Sequence, residues 1–234
     1  MSQNKAEMQV ALIALTNYLQ DDGTPEALIE HAGRVCYRSA SRGNPAAFLR
    51  ARLREGHESI IEHASATFEI SGISRACSHQ LVRHRLASYS QESQRYVEMS
   101  EPEVVIPAAV AGDPEARAIW TAFVEIVKAT YRDLRARGVR KEDARFVLPN
   151  AAATRIVVTM NFRELRHFFR LRIAPEAQWE IRDVALQMLE LLAPHAPTVF
   201  GDMLMQLHDS HPEFFPEDSG PEPAHREAII DVNE

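Results

Sequence analysis

Arg83, His84 and Arg85 stand together, and after seven residues Ser93, Gln94 and Arg95 follow. Guanidinium forks, an imidazole, hydroxyls and amides are the donors that hold phosphate and carboxylate oxygens. Ser88, Tyr89, Ser90 and Gln91 fill the interval, which reads as a hydroxyl-rich loop. From Ile70 to Val97 the only acid is Glu92, in a chain whose formal charge is −7. A local basic segment in an acidic protein points to an anionic ligand.

A second basic cluster holds Arg145, Arg155, Arg163, Arg166, Arg170 and Arg172, with Glu164 as its only acid. For one arginine-rich helix a solvated basic face is the competing reading. Two separate clusters shift the balance toward a shared polyanionic site. His57 and His63 flank Glu58-Ser59-Ile60-Ile61-Glu62, but a zinc-peptidase helix needs histidines four apart, and Ile61 holds that position. A metal is therefore not expected. His63 either caps the approaching strand or pairs with Glu62, or the histidines face a ligand at a helix-to-strand junction. Ser88 and Ser93 lack a Gly-x-Ser-x-Gly setting, so phosphate-binding hydroxyls are favoured over a nucleophile. Cys36 and Cys77 read as buried structural thiols.

These groups need a scaffold, and 234 residues with 45% hydrophobic and 25% charged content suffice for one large domain or two small ones. The net charge argues against a general nucleic-acid or membrane-surface binder. Two cysteines do not make a disulfide scaffold, and neither a roughly 20-residue apolar span nor a signal peptide is present, so a cytoplasmic protein is expected.

Met8 to Leu15 is a candidate strand, and Thr24 caps a helix reaching about Tyr37. A helix covers Asn44 to Arg54. Ala64, Ala66, Phe68 and Ile70 alternate with polar residues as in a half-buried strand, which Ser71-Gly72 should break. Ile73, Ala76, Cys77 and Leu81 then have helical spacing, with Arg83 to Arg85 at the helix end. Glu115 to Arg137 is the clearest helix, with Ile119, Trp120, Phe123, Ile126, Val127 and Leu134 as its buried stripe. A short helix through Ala144 precedes Pro149, and Ala152 to Thr159 reads as a buried strand. Asn161 and Glu164 form a reciprocal cap for a helix through Arg172. Helices over Glu176 to Leu192 and Thr198 to Leu207 complete residues 1–211, leaving 212–234 as an acidic, proline-containing, mobile tail. Strands and helices do not alternate regularly, so the class is α+β, a single domain with a mostly antiparallel central sheet flanked by helices.

The ordered motifs resemble the flavin-dependent thymidylate synthases. Arg83-His84-Arg85, seven residues and Ser93 match that family's signature, continued by Gln94-Arg95-Tyr96. Gly56-His57-Glu58-Ser59 with Glu62-His63, the run Ala144 to Pro149, and Asn161, Arg163, Arg172 and Gln178-Trp179-Glu180-Ile181 follow in the family's order. The resemblance spans about Arg34 to Phe200. It implies a homotetramer whose active sites are shared between subunits, binding FAD, dUMP, methylenetetrahydrofolate and NADPH, with no enzyme nucleophile. By the family's pattern His57, Ser59, Arg83, His84, Arg85, Gln91, Asn161, Arg163 and His167 would contact FAD. Gln80, Arg83, Gln91, Glu92, Ser93, Arg95, Arg145 and Arg172 would hold dUMP, with Arg172 as the catalytic guanidinium against the uracil. Gln91 stands where some members have glutamate, and His167 where some have asparagine. The competing function is a nucleic-acid binder whose helix 161–172 tracks a phosphate backbone, with steeply salt-dependent affinity.

Overall fold

Alternating apolar and polar residues build the centre of the molecule, a sheet of four antiparallel strands. The computed structural model describes residues 6–20, 23–41 and 43–214. Strands β1 (Gln9–Leu15), β2 (Ser65–Ser74), β3 (Ala87–Gln91) and β4 (Ala153–Asn161) lie in the order β1-β2-β4-β3. The register sets Ala66 against Met160, Phe68 against Val158 and Ile70 against Ile156, and all six are buried on one face. On the other face Thr67 and Thr159 share a hydrogen bond of 2.9 Å, and Arg155 pairs with Glu69. The expected face of β2 is therefore the buried one. β4, expected to be a buried strand, is instead half-buried, because its odd-numbered residues point away from the core.

Nine helices surround the sheet among the described residues: α1 (Pro25–Val35), α2 (Pro45–Arg54), α3 (Arg75–Leu81), α4 (Ala108–Ala111), α5 (Pro114–Ala136), α6 (Lys141–Ala144), α7 (Phe162–Arg172), α8 (Trp179–Leu192) and α9 (Pro197–Ser210). The main core joins the inner sheet face to Leu165, Phe168 and Phe169 of α7 and to Ile181, Val184, Met188 and Leu189 of α8. A small satellite gathers Met99, Tyr131 and Ala144. The class is α+β in a single domain. No described helix is long and apolar enough to cross a membrane.

Ser71-Gly72 does not end β2; a β-bulge between Ile70 and Ile73 absorbs the irregularity, and the strand runs on to Ser74. Gly72 makes this possible at φ +68°, a conformation that disfavours any Cβ. Ile73 thus belongs to the strand, and Ser74 caps α3 by accepting from Cys77 N at 3.0 Å. Glu180, buried at the start of α8, accepts from the Ser74 N–H and hydroxyl, both at 2.6 Å, and so ties α8 to this corner. The stretch Ala87 to Gln91 is an edge strand paired with β4, not a loop. Cys36 is exposed, whereas Cys77 is buried and its thiol is pushed up chiefly by burial.

Along α5 the apolar residues divide into two faces. Val124, Val127 and Tyr131 are buried, whereas Ile119 is 73% and Ile126 64% exposed, with Phe123 beside them. The single stripe read from spacing merged the two. The helix from Glu176 begins only at Trp179, where the Gln178 side chain accepts from the N–H groups of Glu180 and Ile181. The first residues of the expected tail are packed: Pro212–Phe214 is a 3-10 turn, and His211 stacks on Phe214 at 5.0 Å. The rest of that tail lies outside the described residues.

A Cβ at Gly72 would lie 1.9 Å from the Glu7 carbonyl oxygen. Gly72→Ala is expected to cost more than about 2 kcal/mol, combining the left-handed penalty with a backbone clash. Chemical denaturation at equilibrium checks this, and Ser71→Ala serves as the neutral control.

Candidate active site

β4 passes into α7 with no intervening loop. Asn161, the last strand residue, caps the helix by accepting from Glu164 N at 2.9 Å. The expected reciprocal bond does not form, because the Glu164 carboxylate is engaged elsewhere. Glu164, Phe168 and Arg172 recur at a spacing of four along α7, which aligns them on one face. Across from that face is the turn after α3, with His84 at its centre.

His84 is 5% and Glu164 6% exposed. The imidazole Nδ1 lies 3.1 Å from Glu164 Oε1, and Arg172 Nε donates to Nε2 at 3.0 Å. A guanidinium has no acceptor, so Nε2 must be bare and the proton must sit on Nδ1, donated to Glu164. Burial above all, with the charges of Arg172 and His167, holds His84 below the ordinary histidine range; the Glu164 hydrogen bond opposes them. The ring is therefore neutral near pH 7. Phe168 meets it edge-on at 5.0 Å. The Tyr89 hydroxyl, on β3, donates to the carbonyls of Leu81 at 2.8 Å and His84 at 2.7 Å, pinning both ends of the turn. Burial and the Glu164 charge push that phenol up to about 12.

Arg172 also donates through Nη2 to the Gln80 carbonyl at 3.4 Å. It closes one side of a cleft of about 590 Å³ whose other walls are Arg83, His84, Arg85, Leu86, Glu164, His167 and Leu171. Among the described residues neither Arg83 nor Arg85 pairs with an acid. This cleft unites one expected FAD subset (Arg83, His84, Arg85 and His167) with Arg172.

The other expected residues lie in two further groups. His57 precedes, and Ser59 lies within, a 3-10 turn, Glu58–His63, that packs along α7. There Arg163 pairs with Glu62, and Arg170 with Glu58 at 2.9 Å; the Arg170 bond leads the forces that hold the Glu58 carboxyl below its usual value. Asn161 has its side-chain oxygen committed to the cap. Arg166 is buried away from the cleft, donating to the Val199 carbonyl and pairing with Asp202 at 3.4 Å. With Arg155 on the outer sheet face, the second basic cluster does not converge as the sequence suggested.

The third group follows β3. Gln91 donates to Thr154 Oγ1 at 3.2 Å, the Glu92 N–H bonds the Arg155 carbonyl at 2.8 Å, and Ser93 Oγ accepts from Arg95 N at 3.3 Å. Arg95 reaches the Glu142 carboxylate at 3.5 Å, and Arg145 Nε donates to the Glu142 carbonyl at 3.1 Å.

Three residues of these sites escaped sequence reasoning. Glu164 was read as a cap, although its spacing of eight from Arg172 could have placed it on the same face. Tyr89 was one hydroxyl among several. Arg75 lies half-buried with no acid partner among the described residues, its guanidinium held below its ordinary basicity by burial and by the charge of Arg145. Nothing local in sequence announced that pairing. Two neighbouring guanidiniums without an acid partner among the described residues make a site for a phosphate. The residues thus suit a flavin pyrophosphate beside Arg83 and Arg85 and a nucleotide phosphate beside Ser93, Arg95 and Arg145. No group of three or more metal-ligating side chains occurs among the described residues.

Tyr89→Phe removes the donor from two part-buried carbonyls. It is expected to lower stability by about 1–2 kcal/mol, read as a lower midpoint in urea.

A family model described as thymidylate synthase complementing protein matches residues 15–198. A protein from Geobacter sulfurreducens named flavin-dependent thymidylate synthase is 49% identical over 195 residues, covering 79% of this chain and 84% of the relative. One of the same name from Mycobacterium avium is 43% identical over 226 residues, covering 84% and 90%. Among solved structures the fold is similar to PolB, a UMP/dUMP methylase from Streptomyces cacaoi bound with 5-Br dUMP, at a TM-score of 0.74 and 24% identity over 86% of this chain and 96% of that one. The chain belongs to the thymidylate synthase complementing protein family, that of the flavin-dependent thymidylate synthases.

Proposed function

We propose that the protein converts dUMP to dTMP in the cytoplasm, with methylenetetrahydrofolate as carbon donor and NADPH as reductant, leaving tetrahydrofolate and NADP⁺. Family membership supports the reaction, and the cleft in which neutral His84 fixes Arg172 beside Arg83 and Arg85, neither paired with an acid among the described residues, is the observation that carries the reading. FAD, when bound, supplies the redox chemistry and the relay of the one-carbon unit. The chain's own residues bind and orient. Arg83 and Arg85 offer forks to the pyrophosphate, while His57, Ser59, Asn161, Arg163 and His167 hold the remainder of the flavin.

Ser93, Arg95 and Arg145, with Arg75 added, take the dUMP phosphate, and Gln80, Gln91 and Glu92 border the nucleotide. Arg172, held by His84 and Gln80, stabilises negative charge on the uracil as the ring is activated, which requires a donor set in place beforehand. On this reading the chain supplies no nucleophile: burial keeps the Cys77 thiol protonated, and Cys36 does not line the Arg83–Arg85 cleft.

His57, Ser59, Arg163, Ser93, Arg95 and Arg145 do not line the cleft of Arg83, Arg85 and Arg172, which supports sites completed by neighbouring subunits of a homotetramer. The exposed face of α5, Ile119, Phe123 and Ile126, supplies an apolar surface for such a contact. The catalytic domain spans 1–211 on this reading. The nucleic-acid reading loses its footing on α7, where Arg163 and Arg170 are paired with acids and Arg166 is buried.

The direct test is dTMP formation from dUMP, methylenetetrahydrofolate and NADPH, with and without FAD added to apoprotein. Product that depends on FAD is expected; bound flavin without product would force another substrate. Arg172→Ala should lower kcat on the order of 10²–10³-fold while the fold and flavin content persist; turnover near wild type would remove Arg172 from the chemistry. Ile126→Glu should dissociate the assembly in sedimentation velocity and abolish activity with it.

A further inference from the structure

We propose that Glu164 is a positioning residue which, by keeping the His84 proton on Nδ1, presents a bare Nε2 that sets the Arg172 guanidinium, and that protonation of His84 releases Arg172. The inference rests on the catalytic reading of Arg172 above and extends it to the groups behind it.

Arg172 Nε can only donate, so its 3.0 Å bond requires an unprotonated Nε2. A carboxylate can only accept, so Glu164 at 3.1 Å requires the proton on Nδ1. The two demands agree on one tautomer, and neither residue alone enforces it against an alternative partner. His84 and Glu164 are both buried, so their contact is shielded, while Arg172 carries the array to the wall of the cleft. The ring is held by Phe168 edge-on and by Tyr89 on the His84 carbonyl. An acid, an imidazole and a reacting group in line, with the middle ring's tautomer set from behind, is the same logic that orients other catalytic and metal-binding histidines.

A second proton on His84 would go to Nε2. It would set N–H against N–H at the Arg172 contact and put two cations side by side. The charged and titratable groups facing the ring are Glu164, His167 and Arg172 from α7, Tyr89 from β3, and Arg83 and Arg85 flanking it in the turn. Of these only Glu164 favours the cation near neutral pH. Burial and the arginine charge therefore keep the ring neutral to below the ordinary histidine value, about 6.5, and the acid limb of kcat is expected there.

Glu164→Gln tests the relay. An amide can donate to Nδ1, which frees the proton for Nε2 and misdirects Arg172. The expected result is a fall in kcat of about 10–100-fold with little change in KM for dUMP. The acid limb should move to lower pH, because the one group that raised the proton affinity of His84 is gone. Glu164→Asp should recover part of kcat, since it restores an acceptor-only partner. A merely structural role would lower stability or flavin content without moving the limb. A folded Gln variant with wild-type kcat and pH profile would overturn the proposal.

Should Glu164→Gln fail to fold, the wild-type holoenzyme labelled with ¹⁵N-histidine decides: a His84 resonance of the Nδ1–H tautomer supports the relay, and Nε2–H overturns it. Loss of the Arg172 reading is separately visible as turnover in Arg172→Ala. A dead Arg172→Ala beside a normal Glu164→Gln would overturn the relay alone.

Discussion

Pairing of β4 on both edges, with its direct passage into α7, is the constraint on which the rest of the site depends. β2 on one side anchors β4 to the core through Phe68 and Ile70, and β3 on the other ties it to the turn carrying Arg83, His84 and Arg85. Because no loop separates Asn161 from the first turn of α7, the helix inherits its direction and rotation from the strand. A single register therefore sets Glu164, Phe168 and Arg172 opposite His84. A slip of one residue in β4 would reverse its faces and rotate that helix away.

The acidic chain keeps a basic cleft by assigning most of its buried acids to donors elsewhere. Glu26 accepts from the N–H groups of Thr198 and Val199 at the start of α9, Glu30 pairs with Arg34, and Glu180 holds Ser74. Glu58 and Glu62 occupy Arg170 and Arg163. Glu164 faces a neutral imidazole instead of an arginine, so Arg172 stays close to an acid without being neutralised by direct contact. Among the described residues, Arg83, Arg85 and Arg75 then remain without an acid partner, open to anionic ligands.

Much of the scaffold was legible in the sequence because local rules govern it. The alternation of Ala64 to Ile70 named the buried face of β2, Thr24 and Asn161 marked helix starts by their capping oxygens, and the signature around Arg83 led to the cleft. The misreadings share one cause, a partner distant along the chain. Gly72 looked like a strand breaker until β1's approach showed a bulge with the Glu7 carbonyl against it. Ala87 to Gln91 looked like a loop because an edge strand with alternating exposed serines carries little apolar signal. The two faces of α5 overlap in a helical wheel, and only packing told Val127 from Ile126.

The sequence by itself determined the fold class, the family and the residue types at the site, since strand alternation, capping and ordered motifs are properties of neighbours along the chain. Only the tertiary structure decided which charges are free and which are spent. Arg163, Arg166 and Arg170 share one helix with Arg172, yet acids, a carbonyl and burial consume the first three, while a neutral histidine holds the last. Charge pairing depends on distance and dielectric in space, and the tautomer of His84 depends on two partners at once, neither adjacent to it in the chain. That is why the sequence could point to Arg172 but not to what aims it.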